Sequence, residues 1–334
     1  MRKSLAVLLL AAFVADARAV TIAWSPVGNP GNAADTFVRQ FGTSGYGAVG
    51  YAYNIGTNDV TTSQYVEFLN TKDPTGANTL GLYNTDMSNA TLAEININPT
   101  ANDGNKYSVI PGDENFPVVH VTWFDAIRFA NWLNNGQGTH DTESGAYILQ
   151  GGTPTPSNAN SISRQVGATV VLPSENEWYK AAYYDPRTTA QGGPPSDSHY
   201  WQYPTSSNTN PTASVPTGAI NSANYNNAVG HLTDVGAYAQ SVSPYGTYDQ
   251  GGNVYQWTET AFDATLRVHL GGGLNSTGIS RFGRNGLPPT GEGFDGFRLA
   301  NIPTGYIPEP SSLALAGLGF AALAALGWRK PRPV

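Results

Sequence analysis

The chain has 334 residues, of which 40% are hydrophobic, 11% aromatic and only 12% charged, a composition that supports a sizeable packed core and argues against disorder. A net charge of −7, with Lys and Arg clustered only at the two ends, argues against a nucleic-acid partner. Cysteine is absent, which removes disulfides, thiolate metal sites and thiol nucleophiles together and leaves packing and bound ions to hold the fold.

Residues 1–19 place Arg2 and Lys3 before an apolar run from Leu5 to Val14 and end in Ala17-Arg18-Ala19, the three parts of a secretory signal peptide. The run is too short to span a bilayer, so signal peptidase is expected to leave a mature chain beginning at Val20. No repeat of fixed period and no strong linker interrupts residues 20–303, which read as one domain. Gly45-Tyr46-Gly47-Ala48-Val49-Gly50 has dinucleotide-loop spacing, but Tyr51-Ala52-Tyr53 continues as strand rather than as a helix start, so nucleotide binding is set aside. A first helix is predicted over Thr61–Asn70, with a Thr cap ahead of Tyr65, Phe68 and Leu69. A second starts at Thr122, with Asp125 three residues on, and puts Ala126, Ile127, Ala130 and Leu133 on one face. A third opens with the capping box Ser174-Glu175-Asn176-Glu177 and runs through Trp178, Ala181 and Ala182. Strands are predicted at Val118–Val121, Thr169–Leu172 and Arg267–Leu270. The polar stretches Gly151–Ser163 and Arg187–Asn221 exceed ordinary connections and read as functional surface or local disorder.

The chemistry-bearing residues are sparse. His120, His140, His199, His231 and His269 form no close pair at helix spacing, so any metal site must be assembled in three dimensions. Glu175 and Glu177 lie two apart on a helix and point to different faces, which argues against a paired acid and base. Tyr200-Trp201-Gln202-Tyr203 reads either as an exposed aromatic surface for sugar stacking or as a loop packed on the core. At the far end, Ile307-Pro308-Glu309-Pro310 leads into an apolar segment over 312–328 and then Arg329-Lys330-Pro331-Arg332, a segment just long enough to enter a bilayer with its basic end held in the cytoplasm.

That tail, 307–334, resembles the PEP-CTERM sorting signal of Gram-negative, exopolysaccharide-producing bacteria. The resemblance implies an exosortase as processing partner, a transient inner-membrane anchor, and delivery to the cell surface or extracellular matrix. Between the ends, five motifs in order resemble the sulfatase-modifying-factor, or formylglycine-generating-enzyme, family: Tyr53-Asn54-Ile55-Gly56 with Asp59-Val60-Thr61; Pro117 to Ala126 with Asn131-Trp132-Leu133; Leu172-Pro173-Ser174-Glu175-Asn176-Glu177-Trp178; Gly252-Asn253-Val254-Tyr255-Gln256-Trp257-Thr258; and Arg267-Val268-His269-Leu270-Gly271-Gly272 with Arg281, Arg284 and Gly296-Phe297-Arg298-Leu299. The fold implied is α+β, irregular and loop-rich, related to C-type-lectin-like domains, with few short helices around antiparallel sheet. Arg298 is expected to hold a buried carboxylate such as Asp125 or Glu177.

The departures from that family decide the functional expectation. Its oxidase members hold copper between two cysteines after the R-V-x-x-G-G element, and those positions here are Ser276 and Arg281. A hydroxyl and a guanidinium do not replace thiolates as ligands for cuprous copper, so no copper and no such oxidase is expected. The helical domain that supplies iron-binding histidines in another branch is missing. Calcium is implied at Asp249, Gly252, Val254 and Gln256, where Gln stands for the usual Glu, and at a second set, Asn224, Tyr225 and Asn227, all oxygen donors. The chain therefore reads as an exported, exosortase-sorted binding or structural module with exopolysaccharide or envelope proteins as partners. The alternative is a divergent enzyme built around Ser276, Arg281 and Arg284.

Overall fold

The computed structural model describes residues 19–89, 91–195 and 198–304. Nearly all of the expected signal peptide and the whole of the sorting tail lie outside the described residues.

In chain order, β1 (Trp24–Val27) pairs antiparallel with β2 (Tyr53–Gly56). Helix α1 (Thr62–Lys72) opens with a capping box between Thr61 and Gln64 and buries Tyr65, Phe68 and Leu69, as their spacing predicts. A short α2 (Asp86–Asn89) precedes the antiparallel pair β3 (Ile95–Ile97) and β4 (Tyr107–Val109). Helix α3 (Trp123–Asn134) is capped by Thr122 and Asp125. Every residue from Trp123 to Trp132 is buried, so this helix is enclosed all round rather than on the single face expected, and Leu133 is only half-buried. Next come β5 (Val170–Val171) and α4 (Glu175–Tyr183), the latter capped by Ser174 and Glu177. A small parallel pair, β6 (Thr212–Ala213) and β7 (Ser222–Ala223), interrupts the long loops. The chain closes with β8 (Tyr255–Ala261), β9 (Arg267–Leu270), β10 (Asn285–Leu287), β11 (Asp295–Phe297) and β12 (Ala300–Asn301).

Two four-stranded sheets organise these elements, one in the order β1-β2-β12-β5 and the other β10-β9-β8-β11. The second contains one parallel pairing, β11 with β8. Only Arg298 and Leu299 separate β11 from β12, so the last motif of the chain passes directly from one sheet to the other. Beneath them lies an aromatic core in which Phe129 meets Phe68 edge-on at 5.2 Å and Phe297 edge-on at 5.4 Å, while Phe68 meets Trp132 tilted at 5.3 Å; contacts of this kind add to the burial of large apolar area.

Two local expectations need correction. Val118–Val121 is not a strand: its pairing stops at the Thr61–Pro117 bridge and the bond from Val118 N–H to the Val60 carbonyl, because His120 adopts a left-handed φ of 59° that ends the extended run. Thr169–Leu172 contributes only its two central residues to a strand. The Gly45–Gly50 stretch is followed by β2, not by a helix, as its reading as a non-nucleotide loop required.

The α3 cap carries a testable electrostatic cost. Asp125 accepts from the Thr122 N–H (2.9 Å) and hydroxyl (2.6 Å) through Oδ2, while its buried Oδ1 has no partner. Burial pushes this carboxyl up to about 6 against the Thr122 bonds that favour its charge. The folded pKa exceeds the unfolded one, so the folded chain holds the proton longer and stability falls as pH rises from about 4 to about 6. Asp125→Asn keeps the cap acceptor and removes the charge. Denaturant unfolding at pH 7 should show the variant more stable by up to about 3 kcal/mol, and the gap should close by pH 4.

Candidate functional site

The closing loop brings Ser276 and Arg281 into two separate networks. Ser276 Oγ accepts from Gly273 N–H at 2.9 Å and donates to the Tyr255 hydroxyl at 3.0 Å. The Tyr255 ring stacks on His269 at 4.6 Å, and His269 Nδ1 lies 2.5 Å from Asp295 Oδ1. Arg281, by contrast, pairs with Asp35 at 2.7 Å, bonds Gln202 and lies over the Phe37 ring at 4.3 Å. Arg284 forks onto Glu175, which also takes Arg39 at 2.8 Å. The three residues around which an alternative enzyme was considered are thus each held by protein partners, and the structure does not gather them about one cavity. Asp35, Arg39 and Asp295, which hold or neighbour them, stand in no motif that sequence reasoning used.

Of the first calcium set, Asp249 and Gln256 meet, but beside a buried guanidinium. Arg298 is fully buried and lies 3.0 Å from Asp59 Oδ1; it also donates to the carbonyls of Gly56 and Tyr248 and, at 2.7 Å, to Gln256 Oε1. Its carboxylate partner is therefore neither Asp125 nor Glu177 but Asp59, which sits on the turn after β2 where it can reach the residue joining the two sheets. Gln256 Oε1 takes a second donor, Trp178 Nε1, at 2.6 Å, and its amide nitrogen donates to the Asp249 carbonyl at 2.7 Å and to Asp59 at 3.3 Å. Asp249 Oδ2 accepts from Gly236 N–H at 2.6 Å. Burial pushes Asp59 up to about 7 against the pull of Arg298, and raises Asp249 as well. The residues do not fit a calcium ion: the Gln256 oxygen is filled by two donors, and the buried Arg298 guanidinium beside Gln256 and Asp59 repels a second cation.

The second set fits better. Asn224 is buried, its amide nitrogen donates to His231 O and Asn253 Oδ1, and its Oδ1 has no donor among the described residues. A buried amide oxygen without a donor is costly unless water or a cation meets it. Tyr225 follows it in the chain, and Asn227 lies exposed in the left-handed region at φ 54°. Among the described residues no group of three or more His, Asp or Glu could hold a metal by itself.

A cleft of about 370 Å³ opens beside the start of α4, lined among others by Asn32, Gly50, Tyr51, Arg164, Asn176 and Glu259. Its floor is a charge cluster that sequence reasoning missed. Arg164 binds Glu177 through both terminal nitrogens, at 2.9 and 2.8 Å, and Glu259 through Nε at 3.0 Å. The Tyr51 hydroxyl donates to Glu177, and the Tyr147 hydroxyl to Glu259 at 2.9 Å. Burial raises both carboxyls, but the Arg164 charge and its hydrogen bonds outweigh it at Glu177, which ends below the ordinary value, whereas Glu259 stays above it. Glu175 and Glu177 serve different clusters, as their spacing on α4 implied. Tyr200 is buried and donates to Ala33 O, and Trp201 is half-buried on Asp185, so this loop packs on the body and does not form an open aromatic surface.

The order of motifs, the two sheets joined at Arg298 and the three capped helices define a sulfatase-modifying-factor α+β fold. Residues 47–302 match the sulfatase-modifying factor enzyme 1-like domain, and the chain belongs to that family. Residues 307–332 match the PEP-CTERM protein-sorting motif, which marks the protein for exosortase processing and for export through a membrane-anchored intermediate in Gram-negative bacteria. No helix among the described residues is long and apolar enough to cross a membrane. The crystal structure of CarF is similar in fold, with a TM-score of 0.54 and 18% identity over 84% of this chain and 98% of that one. Treponema denticola variable protein 1 aligns at a TM-score of 0.49 and 16% identity, covering 86% of this chain and 97% of its own. No curated protein matches the chain significantly.

The Gln256 network makes a sharp prediction. Glutamine serves there because it accepts from Trp178 and Arg298 while donating to Asp249 and Asp59, which a carboxylate does not do. Gln256→Glu should lower unfolding stability at pH 7 by about 1–3 kcal/mol. A gain in stability that requires added calcium would instead reveal a cation at this position.

Proposed function

We propose that the chain is a non-catalytic binding module, delivered outside the inner membrane by its sorting signal, whose ligand is extracellular polysaccharide. The observation that carries this reading is the fate of the positions where family resemblance implies copper-binding thiolates. Ser276 is tied to Gly273 and Tyr255, and Arg281 is locked on Asp35. A fixed guanidinium repels a metal cation, and the chain holds no cysteine to replace it. What this surface retains is a rigid scaffold carrying long polar loops, the arrangement that places recognition on loops held by a stable frame. The relation to C-type-lectin-like domains and the single domain over residues 20–303 belong to the same reading. The protein should co-sediment saturably with extracellular polysaccharide from a producing bacterium and should not oxidise a cysteine-containing peptide when copper is supplied. Peptide oxidation, or no polysaccharide binding, would overturn the proposal.

The calcium expectation narrows to Asn224, the Tyr225 carbonyl and Asn227, supported by the donorless Asn224 Oδ1. A hard cation held there by oxygen ligands would staple the loop to the body. Calcium should raise the melting temperature of the wild-type chain. Asn227→Ala, which alters an exposed residue, should abolish that rise while leaving the melt in chelator unchanged; an equal calcium response in the variant would count against the site.

A further inference from the structure

We propose that the cleft beside α4 binds an amino sugar, a hexosamine unit carrying a free ammonium group, an assignment that rests on the polysaccharide-binding reading above. Its volume of about 370 Å³ falls within the roughly 300–1,000 Å³ of small-ligand sites. The cation in its lining, Arg164, is almost wholly buried and has its three nitrogens on Glu259, Glu177 and the Leu172 carbonyl. With both carboxylates ionised, this cluster of one arginine and two glutamates sums to one negative charge. A uronic acid or phosphate entering the cleft meets a guanidinium already satisfied and two like charges, so anions are disfavoured.

Glu259 defines what fits. Its Oε2 accepts from Tyr147 and Arg164, while its Oε1 has no donor among the described residues. An ammonium group brought to that oxygen would form a charge-assisted hydrogen bond and offset the negative sum. Burial, followed by the neighbouring Glu177, favours the protonated form of Glu259; an arriving cation favours the ionised form, so binding releases a proton and weakens as pH falls. Asn176 supplies the second contact. Its Oδ1 takes the Gly47 N–H at 3.0 Å, and its Nδ2 has no acceptor among the described residues. A sugar ring presents hydroxyls to that amide together with an amine to Glu259. A lysine side chain presents one polar head and leaves the amide unanswered.

The test is calorimetric titration of the full-length chain with glucosamine oligomers, N-acetylglucosamine oligomers, galacturonate oligomers and lysine at pH 7 and pH 5. Glucosamine oligomers should bind at least about tenfold more tightly than the other three, with the advantage shrinking at pH 5. Glu259→Gln should remove most of that advantage. Gly50→Trp is the second variant: Gly50 lines the cleft and a Cβ there meets no atom within 4 Å, so the backbone accepts a side chain, and an indole filling the cleft should abolish binding. Equal affinity for the N-acetylated oligomers or for lysine, or glucosamine binding that persists in both variants, overturns the assignment. Unaltered co-sedimentation of both variants with polysaccharide would sink the cleft while leaving the binding module intact; a wild-type chain that binds no polysaccharide and no hexosamine sinks both.

Discussion

A single buried guanidinium ties this fold together. Arg298 occupies one of the two positions between β11 and β12, so it stands where the two main sheets exchange strands, and it binds the turn after β2, the loop before β8 and the β8 side chain Gln256 in the same stroke. Its ion pair with Asp59 is dry on both sides. Such a pair is poor evidence of net stability, because desolvation offsets much of the attraction. Its effect is on specificity: alternative packings of these loop-rich segments would leave a charge buried alone, at a cost of several kcal/mol. The same logic holds around Glu175, clasped by Arg39 and Arg284, and around Arg164 between Glu177 and Glu259. Without disulfides, the long loops are fastened to the body by charge clusters of this kind.

The local elements were legible because their signals are local. Capping boxes at Thr61, Thr122 and Ser174 each join residues three apart, and all three open helices as read. The motif order gave the family fold. What stayed illegible was pairing across the chain. Arg298 meets Asp59 through a contact between sheets that no spacing rule encodes, so the partners expected for it, Asp125 and Glu177, were wrong. Val118–Val121 has the composition of a strand, yet a left-handed His120 ends it, and nothing in the residue type announces that backbone. Arg164 sits in a stretch with no periodicity, and Glu259 gave only the faint signal of a carboxylate on the strand that begins with the Tyr255-Gln256-Trp257 motif. The cleft was missed for that reason.

The positions where the family resemblance implies metal-binding thiolates are built into the fold. Ser276 and Arg281 belong to two hydrogen-bonded networks, one leading through Tyr255 towards His269 and Asp295, the other to Asp35 and the loop before β2. Cysteines placed at both positions would break each network before any metal could be held. The scaffold has accommodated polar residues at this place by giving each its own partners, which is how buried polar groups persist in a fold.

β12 is the last strand of the domain, yet it lies inside its sheet, between β2 and β5. That sheet has no completed centre until Asn301 has arrived. The sorting motif begins at residue 307, and the intervening residues span at most about 20 Å. The strand that completes the middle of this sheet is therefore also the one nearest in the chain to the sorting motif.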